Sequence, residues 1–175
     1  MVSGFGSIGL RQIDHFAIAV RDLEAAYRLF GATFGGTFMT GGDDAERDIR
    51  TVQLNVPPGI RIELMQPLST DSYLAHFIER HGEGFHHMTF FVEQLEPAIK
   101  SLVEEGYELV DTKLDRVGWR ETYLRPASGF GTLIQVVETT TDWGQPTSAF
   151  DLDDVFAGRV YWTAGVARLR QAGTG

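Results

Sequence analysis

The chain repeats itself at a fixed offset of 72 residues, and this constrains its fold more than any other feature. IDHFAIAVRDLEAAYRLF (13–30) matches GFHHMTFFVEQLEPAIKSLV (84–103), with His15 on His87, Val20 on Val92, Leu23 on Leu95, Glu24 on Glu96 and Ala26 on Ala98. The same offset, without a gap, then places Gly59 on Gly131, Ile62 on Ile134, Glu63 on Gln135 and Leu64 on Val136. A register kept over two separate elements points to a tandem duplication, so the chain should fold as two similar modules.

Each half reads β–α–β–β–β. In the first, a strand over 13–20 precedes a helix over about 22–34, stopped by Gly35-Gly36. A strand near 36–40, a polar loop GGDDAERD (41–48) and strands near 50–56 and 60–66 follow, the last two joined by a Pro57-Pro58-Gly59 turn. In the second, strand 86–92 leads to a helix over about 94–105 that stops at Gly106, then to strands near 107–112, 119–125 and 131–138. The linking segment 68–83 predicts a helix from Ser69 or Thr70 with Leu74, Phe77 and Ile78 on one side. The spacing gives modules of about 12–67 and 84–138 within a domain of 1–140, and an extension over 141–175 with no counterpart in the repeat. Its Phe150, Val155, Phe156, Val160, Tyr161 and Trp162 need cover, on the domain or on a dimer partner.

Composition narrows the chemistry. The 175 residues carry a net charge of −9, which disfavours nucleic acid and anionic membrane surfaces as partners. Residues 1–12 lack a basic start and apolar run, and no stretch approaches the length of a membrane span, so a cytoplasmic location is the expectation. There is no cysteine. Thiolate nucleophiles and cysteine-held metals are excluded, so any metal must be held by His, Asp, Glu or amide oxygen.

Strand alternation singles out four such residues. His15 shares a face with Ala17 and Ala19, His87 with Thr89 and Phe91, Glu63 with Met65, and Gln135 with Leu133 and Val137. His15, Glu63, His87 and Gln135 thus interrupt apolar strands at equivalent places in both halves. Two imidazoles, a carboxylate and an amide oxygen suit one divalent ion such as Zn, Fe, Co, Ni or Mn; the other reading is of polar strand residues satisfied by neighbours. His86 points to the face opposite His87 and reads as structural, His76 and His81 as surface residues. Glu138 lies on the face opposite Gln135. Asp43, Asp44, Glu46 and Asp48 read as a solvated loop.

The strings IDHFAIAV (13–20), IELMQPL (62–68), GEGFHHMTFFV (82–92) and RPASGFGTLIQVVE (125–138) resemble the vicinal oxygen chelate superfamily, which holds glyoxalases, ring-cleaving dioxygenases and bleomycin-binding proteins. GEGFHHMTF resembles its methylmalonyl-CoA epimerase-like branch in particular. The resemblance implies an α+β fold of tandem βαβββ modules, a curled mixed sheet around a metal-centred cavity, and a homodimer. It assigns the metal to His15, Glu63, His87 and Gln135. It also points catalysis to Gln135 and Gln53, where the epimerase-like pattern has proton-transferring glutamates, and leaves Glu63 as the remaining carboxylate and the candidate base. Here Gln135 and Gln53 are amides, which can ligate through oxygen but take no proton from carbon. A two-base 1,1-proton transfer has therefore lost at least one partner. The lysine of a Pro-Lys-Ser element is also absent, since the chain reads Pro126-Ala127-Ser128.

Three functions follow as expectations. The first is a metal-dependent isomerase, epimerase or lyase acting on a small oxo, hydroxy or thioester substrate through a metal-stabilised enolate. The second is an Fe(II) dioxygenase with a two-histidine, one-carboxylate triad. The third is a small-molecule binding protein without chemistry.

Overall fold

A computed structural model describes residues 8–57, 59–142 and 144–171. Expectations placed on residues 1–7, Pro58, Trp143 and 172–175 lie outside the described residues. In the first half, β1 (Leu10–Ala19) leads to α1 (Leu23–Tyr27), followed by β2 (Thr37–Asp44), β3 (Ile49–Val56) and β4 (Ile60–Pro67). After α2 (Tyr73–His81) the order recurs as β5 (Gly84–Val92), α3 (Leu95–Glu104), β6 (Leu109–Lys113), β7 (Trp119–Leu124) and β8 (Leu133–Thr139). The expected β–α–β–β–β repeat is present in both halves, in an α+β fold with mixed strand pairing. The extension adds α4 (Leu152–Phe156), β9 (Val160–Thr163) and β10 (Val166–Leu169). No helix among the described residues is long and apolar enough to cross a membrane.

Two compact units emerge. One contains the described residues up to Phe16 and His86–Thr141; the other contains Ala17–Phe85 and the described residues from Asp142 onward. In the first unit the strand order is β1-β5-β8-β7-β6. β5 and β8 run parallel with His87 opposite Leu133 and Thr89 opposite Gln135, while β6, β7 and β8 are antiparallel with Tyr123 opposite Gln135. Helix α3 covers one side through Leu95, Ala98 and Leu102, packed with Val92, Leu124 and Val136.

The second unit has the order β10-β9-β2-β3-β4. Gln53 lies opposite Glu63 in the antiparallel β3–β4 pair. Two faces carry two apolar clusters, as strand alternation demands. Val20, Leu23, Val52, Leu54 and Leu64 pack with Phe150, Val155 and Val160, so the extension supplies part of this unit's core. Ala17 and Ala19 pack instead with Ile49, Met65, Leu74 and Ile78, which places the α2 residues on the other face.

Three local expectations are corrected. The helix over 22–34 is α-helical only to Tyr27; Arg28–Thr33 continues it as a π-helix, with Phe34 N donating to Leu29 O at 3.0 Å. The Tyr27 ring lies over Gly31, where an added Cβ would come within 2.3 Å of it, so only glycine fits under the ring. The first half of the polar loop over 41–48 is strand, and 45–48 form a turn. Gly41–Asp44 belong to β2, and Asp43 is buried against Arg50 at 2.6 Å instead of solvated. Arg50 also donates to Phe156 O at 2.7 Å, and this partly buried ion pair anchors the extension. The sequence shows four acidic residues in a row of polar ones but not the arginine seven residues on that neutralises one of them. The linking helix starts at Tyr73, later than Ser69 or Thr70, because Ser72 is its N-cap, accepting from Leu74 N at 3.2 Å.

Candidate functional site

In the first unit, His15 on β1 and His87 on β5 are both buried, with ring centroids 5.5 Å apart and planes at 74°. Each imidazole is held at Nδ1 by the residue before it. His15 Nδ1 lies 2.7 Å from Asp14 Oδ2, and His87 Nδ1 lies 2.9 Å from His86 Nδ1, one of those two nitrogens donating and the other accepting. Asp14 and His86 are themselves equivalent in the repeat. His86 is therefore a partner of its neighbour and not merely a residue on the far face. Fixing Nδ1 by a hydrogen bond orients an imidazole and turns its Nε2 outward, the arrangement common around metal-ligating histidines.

Gln135 on β8 joins this pair through Thr89. The Thr89 hydroxyl donates to Gln135 Oε1 at 2.6 Å and lies 2.9 Å from His15 Nε2. The Thr89 hydroxyl thus links Gln135 Oε1 to His15 Nε2. On the other side, Gln135 Nε2 donates to Glu121 Oε2 at 2.7 Å and to the Tyr123 hydroxyl at 2.8 Å. Glu121 is 0% exposed. Its carboxylate also accepts from Trp119 Nε1 at 2.9 Å, from Tyr123 at 3.3 Å and from Arg116 at 3.3 Å. A buried carboxylate with this many donors is compensated for its lost hydration.

In the second unit, Gln53 Nε2 donates to Glu63 Oε1 at 3.1 Å across the β3–β4 pair. Gln53 is only 4% exposed, yet its Oε1 has no hydrogen-bond partner among the described residues. A buried amide oxygen left unpaired costs about 1–3 kcal/mol, so it marks a place for a donor. The two units carry the same Gln–Glu pairing with the strands exchanged. The amide is on β3 and the carboxylate on β4 in one; the carboxylate is on β7 and the amide on β8 in the other.

Other polar residues serve the scaffold. Leu23 N, at the start of α1, donates to Gln66 Oε1 at 2.8 Å, and Leu95 N, at the start of α3, donates to Glu138 Oε2 at 2.7 Å. Both pairs obey the 72-residue offset, and each ties a helix N-terminus to the last strand of its module. Glu138 also binds Arg120 at 3.1 Å, and Arg120 reaches Glu96 at 3.0 Å. Burial disfavours the charged guanidinium, but hydrogen bonds to and charges of Glu138 and Glu96 hold Arg120 above the usual arginine range. His76 and His81 are exposed.

A family model for the glyoxalase/bleomycin resistance protein/dioxygenase superfamily matches residues 14–123. The chain belongs to this superfamily. Among its relatives is an ethylmalonyl-CoA/methylmalonyl-CoA epimerase of Cereibacter sphaeroides, 30% identical over 71% of this chain and 96% of that protein. A mitochondrial methylmalonyl-CoA epimerase of Dictyostelium discoideum is 27% identical over 76% of this chain and 81% of its own length. The crystal structure of methylmalonyl-CoA epimerase from Mycobacterium tuberculosis superposes with a TM-score of 0.70 at 27% identity, covering 81% of this chain and 94% of that one. The fold expected from the vicinal oxygen chelate resemblance is thereby shown.

The residues present fit a divalent ion. Two imidazoles with fixed Nδ1 atoms and an amide oxygen on the same hydroxyl as His15 Nε2 form a nitrogen–oxygen donor set suited to first-row metals. Sequence reasoning missed Asp14, Thr89, Glu121 and Tyr123. The repeat carried the signal for the first, since Asp14 precedes His15 as His86 precedes His87. Alternation along WRETYL carried it for Glu121 and Tyr123, which share a strand face.

Proposed function

We propose that the chain is a metal-dependent isomerase of its superfamily, acting on a small oxo, hydroxy or thioester substrate. His15, His87, Gln135 and Glu63 hold one divalent ion in this reading. The observation that carries it is the pair of buried imidazoles whose Nδ1 atoms are both held by the preceding residue. Glu63 joins the set by two arguments from its strand. It occupies the repeat position of Gln135, and it alternates with Met65, whose neighbours Ala17 and Ala19 alternate in turn with His15.

The bound ion supplies Lewis-acid stabilisation of negative charge on the substrate's oxygens. The chain's own residues do the rest. Glu63 is the only carboxylate among the four ligand positions and is the base. It breaks a C–H bond next to the carbonyl by taking the proton, while the electron pair moves toward the carbonyl oxygen. Gln53 Nε2 fixes one Glu63 oxygen, and Gln53 Oε1 accepts from a substrate hydroxyl. A hydroxy-ketone meets that acceptor in its ground state, whereas a thioester meets it only as the enol.

One base also limits the outcome. A proton removed and returned by the same carboxylate stays on one face of the substrate, which suits transfer between adjacent atoms better than inversion at one carbon. That is the point at which this chain parts from relatives named as epimerases.

The test is wash-in of deuterium from D2O into hydroxy-ketones, 2-oxo acids and acyl thioesters by the metal-loaded protein, followed by NMR. Wild type exchanges the carbon-bound proton, and Glu63→Gln with the same metal content loses about 10²- to 10⁴-fold in rate. Undiminished exchange by Glu63→Gln contradicts the assignment of the base.

A further inference from the structure

We infer that Glu121 is a positioning residue which determines the atom that Gln135 presents to the Thr89 hydroxyl beside His15. A glutamine side chain can turn over with little change in shape, placing either an oxygen or an NH2 toward a given neighbour. Only the oxygen can ligate a cation. In this chain the choice is made from behind. Glu121 Oε2 accepts from Gln135 Nε2 at 2.7 Å, and a carboxylate can do nothing there but accept. Turning the amide over would set its oxygen against the buried carboxylate and its NH2 toward the Thr89 hydroxyl. The Glu121 carboxylate is itself fixed by Trp119 Nε1, Tyr123 and Arg116, and is wholly buried. Gln135 Oε1 therefore faces the Thr89 hydroxyl that also contacts His15 Nε2.

The same geometry accounts for the amide at position 135. A glutamate there would lie against Glu121, and two buried carboxylates at that distance repel unless one takes a proton. The glutamine is then the partner that Glu121 requires, and it gives the metal set a neutral oxygen. Glu121 accepts from Gln135, Trp119, Tyr123 and Arg116, and in this reading it orients the amide.

The inference rests on the proposed ligand role of Gln135, and the test separates the two. Co(II) is titrated into the purified, chelator-treated full chain, with binding followed by calorimetry and by the visible absorption of the bound ion, and folding by circular dichroism. Glu121→Gln is expected to weaken Co(II) binding by about 10- to 100-fold and to shift the absorption bands. The exchanged double variant, Glu121→Gln with Gln135→Glu, restores donor–acceptor complementarity and recovers binding. It also serves as the measurement if Glu121→Gln alone does not fold. Gln66→Ala, which removes only a helix-cap acceptor in the other unit, keeps wild-type affinity. If Gln135→Ala weakens binding but Glu121→Gln leaves affinity and spectrum unchanged, the positioning role is overturned while the ligand reading stands. If Gln135→Ala binds as tightly as wild type, both fall. A folded double variant that fails to bind also overturns the positioning role.

Discussion

Asp14 and His15 are consecutive residues of β1 whose side chains meet at 2.7 Å, carboxylate to Nδ1, with both buried. Adjacent strand residues ordinarily point to opposite faces, so this contact requires the Asp14 side chain to bend back toward its neighbour. It sets the imidazole ring and increases the basicity of the ligand nitrogen. Asp14→Asn keeps the shape and loses the charge. Its affinity for Zn or Co(II) should fall by about 10- to 100-fold, read by calorimetry. Unchanged affinity would show that the contact is structural only.

Metal uptake should release a proton. His15 meets Asp14 at Nδ1 and the Thr89 hydroxyl at Nε2. An imidazole ligates a cation only through a deprotonated nitrogen, so cation and proton compete at Nε2, and affinity rises with pH and falls as the solution is acidified. Calorimetric titration of Co(II) in buffers of differing ionisation enthalpy measures the released proton. A binding enthalpy independent of the buffer contradicts proton-coupled binding.

The two helix caps should contribute to stability and not to metal binding. Gln66→Ala removes the acceptor for Leu23 N, and Glu138→Ala removes both the acceptor for Leu95 N and a partner of Arg120. Loss of a cap acceptor costs about 0.5–2 kcal/mol, and Glu138→Ala should be the more costly of the two. Denaturant unfolding measures each, with Co(II) affinity as the control.

The extension should be indispensable to the second unit. Val155 and Val160 are fully buried beside Val52, Leu54 and Leu64. Val160→Ala should cost about 1.5–3 kcal/mol. A chain ending at residue 140 exposes that cluster and should lose its cooperative thermal transition. A truncated chain melting like the full one would show that the extension is an accessory.

Much of this was legible because duplication and alternation are read directly from sequence. The 72-residue offset located both histidines, Glu63 and Gln135, and period-two patterning assigned their faces. Partners across strands were not legible. Glu121 meets Gln135 from the neighbouring strand β7 and Asp43 meets Arg50 from β3, and the register that brings them together depends on turns and bulges such as the shift between Phe38 and Thr40. The π-helical turn at Arg28–Thr33 was hidden for a similar reason. Apolar spacing marks a helix but does not report the width of its turns.

The most direct test of the account is metal stoichiometry and affinity on the intact chain. Equilibrium dialysis against Co(II) or Zn, with elemental analysis, should find one ion per chain in the wild type. It should find none retained by His15→Ala or His87→Ala when circular dichroism shows the fold intact. Absence of binding by the wild type, or binding untouched by loss of either histidine, would contradict the proposed centre.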